Sequence, residues 1–172
     1  MKTFLRATAI AAILGGVLRI ADSFTANVLP QTTLALLYFA TDVLLLAGIP
    51  GLWARRRAAI GIAGMIGLTL FVAGILLVRA SAFGAGSYQT GATVALLGLA
   101  IYSAASLFRG INAAALLWLG ALAFGIAGAA GFLPAGMTAL AGVAFGLGFV
   151  AAGFDILYGA PQSAQTATST VT

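Results

Sequence analysis

The sequence predicts an all-α integral membrane protein: six transmembrane helices as three antiparallel hairpins, with both termini in the cytoplasm (N-in/C-in). Three observations carry this prediction. The 172-residue chain is 62% hydrophobic and only 6% charged, whereas a soluble domain carries about a quarter charged residues. Six apolar stretches each reach the ~20 residues needed to cross ~30 Å of hydrocarbon. Lys and Arg fall almost wholly on one side of those stretches, as the positive-inside rule requires.

The stretches are Phe4–Val28, Gln31–Trp53, Ala58–Arg79, Tyr88–Phe108, Asn112–Phe132 and Gly136–Tyr158. The first follows Lys2 and Arg6 and has the look of a signal peptide over Ala7–Leu18. Arg19 and Asp22 interrupt the expected exit, however, and Phe24-Thr25-Ala26 lacks a small first residue, so a retained helix is expected. Turn material separates the rest: Leu29-Pro30-Gln31, Ala54 to Arg57, Ala82 to Ser87, Arg109-Gly110 and Leu133-Pro134-Ala135. Connections this short favour antiparallel neighbours. With the N terminus inside, Lys2, Arg6, Arg55, Arg56, Arg57 and Arg109 are cytoplasmic and only Arg79 flanks the other face. Trp53, Tyr88 and Tyr158 stand at the expected interfaces. Residues 1–158 therefore form one transmembrane domain. The uncharged Ser/Thr/Ala run of 159–172 is expected as a disordered cytoplasmic tail.

Composition excludes much chemistry. There is no Cys, His or Glu, and three Asp are the only acids. Disulfides, thiol nucleophiles, His-ligated haem and the usual zinc sites are out of reach. An enzyme would need an Asp, Ser, Thr or Tyr nucleophile with no His base, so no catalytic residue, metal or cofactor is expected. The net charge of +5 is read as topology and not as a nucleic-acid surface, because no polar face exists to hold phosphates.

The candidate binding residues are the intramembrane charges, since an ionised group in hydrocarbon needs a partner or a purpose. Asp42 stands alone in Leu34–Trp53. At ~1.5 Å rise per residue, Arg19 and Asp42 reach similar heights. Tyr38 lies one turn from Asp42 on the same face. Arg19, Tyr38 and Asp42 are thus expected to meet across the first hairpin, as a static ion pair or as a water-reachable site. Asp22 and Arg79 are expected to pair near the outer interface, and Asp155 to reach Arg6 or Arg109. Arg55, Arg56 and Arg57 are expected to mark the cytoplasmic side and to contact anionic lipid headgroups.

Small residues supply the packing surfaces. Gly61, Gly64 and Gly67, Gly125, Gly128 and Gly131, and the Gly142–Gly146 GxxxG match make smooth faces on three helices. These allow close helix contact within the chain or a homo-oligomer face. The repeated Gly-Ile-Ala-Gly at Gly61–Gly64 and Gly125–Gly128 falls at different helix depths and is read as chance.

The segment Gly15-Gly16-Val-Leu-Arg19-Ile-Ala-Asp22-Ser-Phe24, with Leu37-Tyr38-Phe-Ala-Thr-Asp42-Val-Leu-Leu-Leu, resembles small uncharacterised bacterial six-helix membrane proteins. The resemblance covers the first hairpin. It implies a multi-pass protein of the bacterial inner (plasma) membrane and transfers no activity. Two functions are expected to compete. One is a non-enzymatic accessory or structural protein that acts through helix packing with lipid or protein partners. The other is a small-solute or ion permease with its site around Arg19/Tyr38/Asp42. A polar cavity at Asp42 would favour the second, and a dry pair sealed by Leu and Phe the first.

Overall fold

A computed structural model describes residues 1–25, 28–110, 112–134 and 139–159. It is all-helical over those residues: α1 (Lys2–Thr25), α2 (Gln31–Ala58), α3 (Ile60–Ser81), α4 (Tyr88–Leu107), α5 (Ala113–Ala129) and α6 (Ala139–Tyr158). Five of these, all but α5, are long and apolar enough to cross a membrane. Pro30 precedes α2, where its missing N–H costs nothing. The Asn112 side chain accepts the Ala114 backbone N–H at 3.0 Å and caps α5.

Two boundaries differ from expectation. Ala54 to Arg57, expected as a turn, is helical, and the break falls later, at Gly61. Gly61 has φ 60° and ψ −163°, a conformation open to glycine and strained for other residues. Three successive arginines are good helix formers, and nothing in Ala54–Arg57 stops a helix. The fifth segment is shorter than Asn112–Phe132, because Asn112 is spent as the cap and Gly131 adopts φ 77° just past the end. The expected start of the sixth span at Gly136 and the tail beyond Gly159 lie outside the described residues.

Helix packing follows the glycines. In α3 and α4, Gly67 and Gly74 face Gly98, Tyr102 and Ala95, while Gly91 faces Val78. A Cβ on Gly67 would stand 2.6 Å from the Tyr102 backbone nitrogen, so only glycine permits this approach. The spacing of seven in both helices keeps one face in contact along the seam. Against α1, Gly48 and Gly51 of α2 meet Ala12 and Thr8, and Gly146 and Gly153 of α6 meet Gly16 and Ala9. Helix α1 therefore lies between α2 and α6.

The expected glycine faces hold in part. Gly142 faces Ser23 and Gly146 faces Gly16 and Ile20, so the GxxxG match is an internal contact with α1. Gly67 packs as expected. Gly61 sits at the break with open space beside it, Gly64 abuts its own helix neighbour Ile60, and Gly125 has nothing within 4 Å of a Cβ position. Gly131 lies beyond α5.

An aromatic cluster joins α3, α4, α5 and α6. Trp118 and Phe149 pack edge to face with centroids 5.0 Å apart, and Tyr102 and Trp118 do so at 5.7 Å. Phe71 lies 5.7 Å from Phe149. The Trp118 Nε1–H donates to the Phe145 carbonyl at 3.2 Å, which satisfies the indole in the core.

Candidate functional site

The site lies at one end of the bundle, where α1 finishes, α2 starts, α3 finishes and α4 starts. Asp22 is 2% exposed on α1, in contact with α2. It holds there because the Thr41 hydroxyl donates to its Oδ2 at 3.1 Å. Arg19, one turn earlier on α1, brings Nη1 to 4.0 Å from the same oxygen. The Asp22 Oδ1 is buried and has no hydrogen-bond partner.

Asp42 follows Thr41 directly, so its side chain points about 100° around the helix. It faces α3 and accepts from the Arg79 Nε in an ion pair. The geometry has a simple origin. Asp42 and Arg79 stand at almost equal distances along the chain before and after Gly61, and the break brings them level. The pair is half-buried, with side-chain exposures of 15% for Asp42 and 28% for Arg79.

These groups surround a half-enclosed cavity of about 470 Å³, a volume within the range of small-molecule sites. Arg19, Asp22, Tyr38, Asp42, Arg79 and Tyr88 provide its polar surface; Leu45, Phe71, Ile75, Val78 and Phe145 form much of the apolar wall. The Arg19 guanidinium also rests 5.8 Å from the Phe145 ring centroid, a cation–π distance. One turn further along α6, Phe149 packs on the two lining aromatics Phe71 and Phe145, with centroids 5.7 Å and 5.3 Å away.

The expected residues are thus gathered, with different partners. Arg19 does not pair with Asp42: it faces Asp22, three residues away on the same helix. Arg79 does not pair with Asp22: it takes Asp42. Helix depth counted from a turn at Ala54–Arg57 put Arg79 level with Asp22, whereas the break at Gly61 puts it level with Asp42; adjacent Thr41 and Asp42 also face different helices. Tyr38 lines the cavity without a side-chain hydrogen bond among the described residues. Thr41 and Tyr88 are further parts of the site. Thr41 was legible as one of several scattered intramembrane polar residues, and Tyr88 as an interfacial aromatic.

The opposite end carries the other charges. Asp155 pairs with Arg56, whose Nε–H donates to Oδ2 at 2.9 Å while Nη2 lies 2.9 Å from the same oxygen; the expected partners were Arg6 or Arg109. Arg56 prevails because α2 stays helical to Ala58 and carries it to the end of α6. Arg57 stacks over Trp53 with 5.4 Å between the guanidinium carbon and the ring centroid. Among the described residues, no group of three or more acidic side chains is placed to hold a metal ion. Compared with family models, with curated proteins and with solved structures, the chain matches none.

Proposed function

We propose that this chain is a multi-pass inner-membrane protein, N-in/C-in with six membrane helices, that binds a small solute in the cavity around Asp42, as a permease does. The carrying observation is the cavity of about 470 Å³ between two Asp and two Arg side chains. Ionised groups within a membrane domain are costly to keep. A pair serving only as a register pin would be sealed by apolar side chains; here both pairs border open space. The site lies at the end opposite Arg56 and Asp155, hence toward the outer face, while the Phe71–Phe149–Trp118 cluster closes the inward route. That arrangement is what one gate of an alternating-access protein requires. The Arg55-Arg56-Arg57 run marks the inner surface and meets anionic headgroups there.

The accessory reading keeps support from the glycine seams, which make a rigid bundle able to partner lipid or protein. The two readings differ over water. The chain has no native Cys, so single cysteines can be introduced without background. Ala92→Cys and Ala141→Cys, on the cavity wall, should react in nanodiscs with a charged, membrane-impermeant methanethiosulfonate. Leu97→Cys, at an exposed apolar position of α4, should not react, because hydrocarbon keeps a thiol protonated. Two unreactive wall cysteines would overturn the binding reading in favour of the accessory one.

A further inference from the structure

The cavity's unused hydrogen-bonding capacity has a sign pattern. On the anionic side, Asp22 Oδ1 is buried without a partner, in a carboxylate whose other oxygen is held by Thr41. On the cationic side, Arg19 donates no hydrogen bond among the described residues, and Arg79 donates only its Nε. A guanidinium carries five N–H donors in a rigid fork suited to carboxylate or phosphate. The cavity therefore offers one acceptor and several donors of opposite charge, with Arg19 close to Asp22 and Arg79 paired to Asp42.

The charge of the site narrows the ligand. Two Asp and two Arg cancel, so a ligand of net charge would leave that charge uncompensated in a low-dielectric setting. A bare cation at Asp22 would also sit beside Arg19, only 4.0 Å from the carboxylate. An uncharged apolar ligand would leave the Asp22 oxygen unsatisfied, at the cost that any buried unpaired polar group carries. A neutral molecule with both signs meets every condition.

The geometry points to a zwitterion as the ligand: a primary ammonium donated to Asp22 Oδ1 and a carboxylate or phosphate held by Arg19 and Arg79, with a short apolar middle along Phe71 and Phe145. This rests on the cavity being a solute site. Two sources share the chemistry, a free aminoalkyl acid and the headgroup of phosphatidylethanolamine.

The test measures the labelling rate of Ala92→Cys in phosphatidylglycerol nanodiscs. γ-Aminobutyrate should slow labelling at concentrations where butyrate and butylamine, each with one of its charges, do not. Asp22→Asn in the same background should raise the half-protecting concentration by roughly tenfold or more, the loss expected for one charge-assisted hydrogen bond. Arg19→Gln, a substitution at a partly exposed wall position, should do the same from the acid end and guards against Asp22→Asn simply misfolding. Slow labelling in phosphatidylethanolamine nanodiscs, restored by Asp22→Asn, would support the proposal with the lipid as source. Equal protection by the single-charge analogues, or protection by neither zwitterion while the cysteine still reacts, would overturn the zwitterion and leave the cavity reading standing. A cysteine that never reacts would overturn both.

Discussion

Asp42 and Arg79 should behave as one energetic unit, and a double-mutant cycle measures it. Two unit charges ~4 Å apart at an effective dielectric of ~20 attract by about 4 kcal/mol, before desolvation is subtracted. Removing one partner of a fully buried pair costs ~3–5 kcal/mol, whereas exposed pairs contribute ~0–1 kcal/mol. With side-chain exposures of 15% and 28%, this pair lies between those limits. Asp42→Asn and Arg79→Gln should each lower stability by about 2–3 kcal/mol. The double variant should lose about as much as one single, which gives a coupling of ~2 kcal/mol. Unfolding in mixed micelles of rising sodium dodecyl sulfate, followed by the fluorescence of Trp53 and Trp118, supplies the free energies. The control cycle pairs Asp42→Asn with Arg19→Gln, where a smaller coupling is expected because the two line one cavity without forming an ion pair. Additivity in the first cycle, or a larger coupling in the second than in the first, would refute the partner assignment and restore the Arg19–Asp42 contact that helix depth alone suggests.

The glycine seams make a second prediction. Gly98→Leu and Gly146→Leu, whose Cβ atoms would stand 2.6 Å from the Gly67 carbonyl and 2.5 Å from the Gly16 carbonyl, should each cost roughly 1–3 kcal/mol through overpacking. Gly120→Leu, with nothing within 4 Å, should change the same unfolding midpoint little. At the other end, Asp155→Asn should cost about 1 kcal/mol or less, because the Arg56–Asp155 pair is partly exposed. Its effect should shrink in high salt; an undiminished loss at 1 M salt would argue for a buried pair. For topology, reporter fusions at Gly84 should read periplasmic and fusions at Arg56 cytoplasmic, and a cytoplasmic Gly84 would remove the six-span arrangement.

The helical, apolar architecture was legible because it depends on composition and segment length, which one sequence contains in full. Element ends were less legible. Ala54 to Arg57 looked like a turn because charge implies an interface, yet arginine at an interface is compatible with helix, and Gly61 carries the backbone conformation that breaks it. The site divides in the same way. Each of Arg19, Asp22, Tyr38, Asp42 and Arg79 was identifiable from the cost of polar groups in hydrocarbon, and all five line one cavity. Their pairing was not, because it depends on where the break between α2 and α3 falls and on azimuth around each helix. One signal could have helped. Gly67 and Gly74 in α3, and Gly91 and Gly98 in α4, each repeat at seven residues, which marks the faces that must touch. The α3 seam places Val78 against Gly91, leaving the next residue, Arg79, turned away from α4.

The physical cost of the charged residues bears on function more than their number does. A register pin needs one pair, and the Gly67–Gly98 and Gly16–Gly146 contacts already restrict sliding, because a shift of one residue would replace a glycine with a side chain at 2.5–2.7 Å. The two acid–base groupings at the cavity are therefore not required for register. Nor is their arrangement the one that hydrogen bonding alone would favour: Asp22 spends one oxygen on Thr41 and leaves the other bare, while Arg19, at 4.0 Å, stops short of a bond. A carboxylate and a guanidinium 4.0 Å apart at a cavity wall retain their capacity for a third party. That residual capacity, beside the Asp42–Arg79 ion pair, is what the proposed solute site would use and a packing role would not.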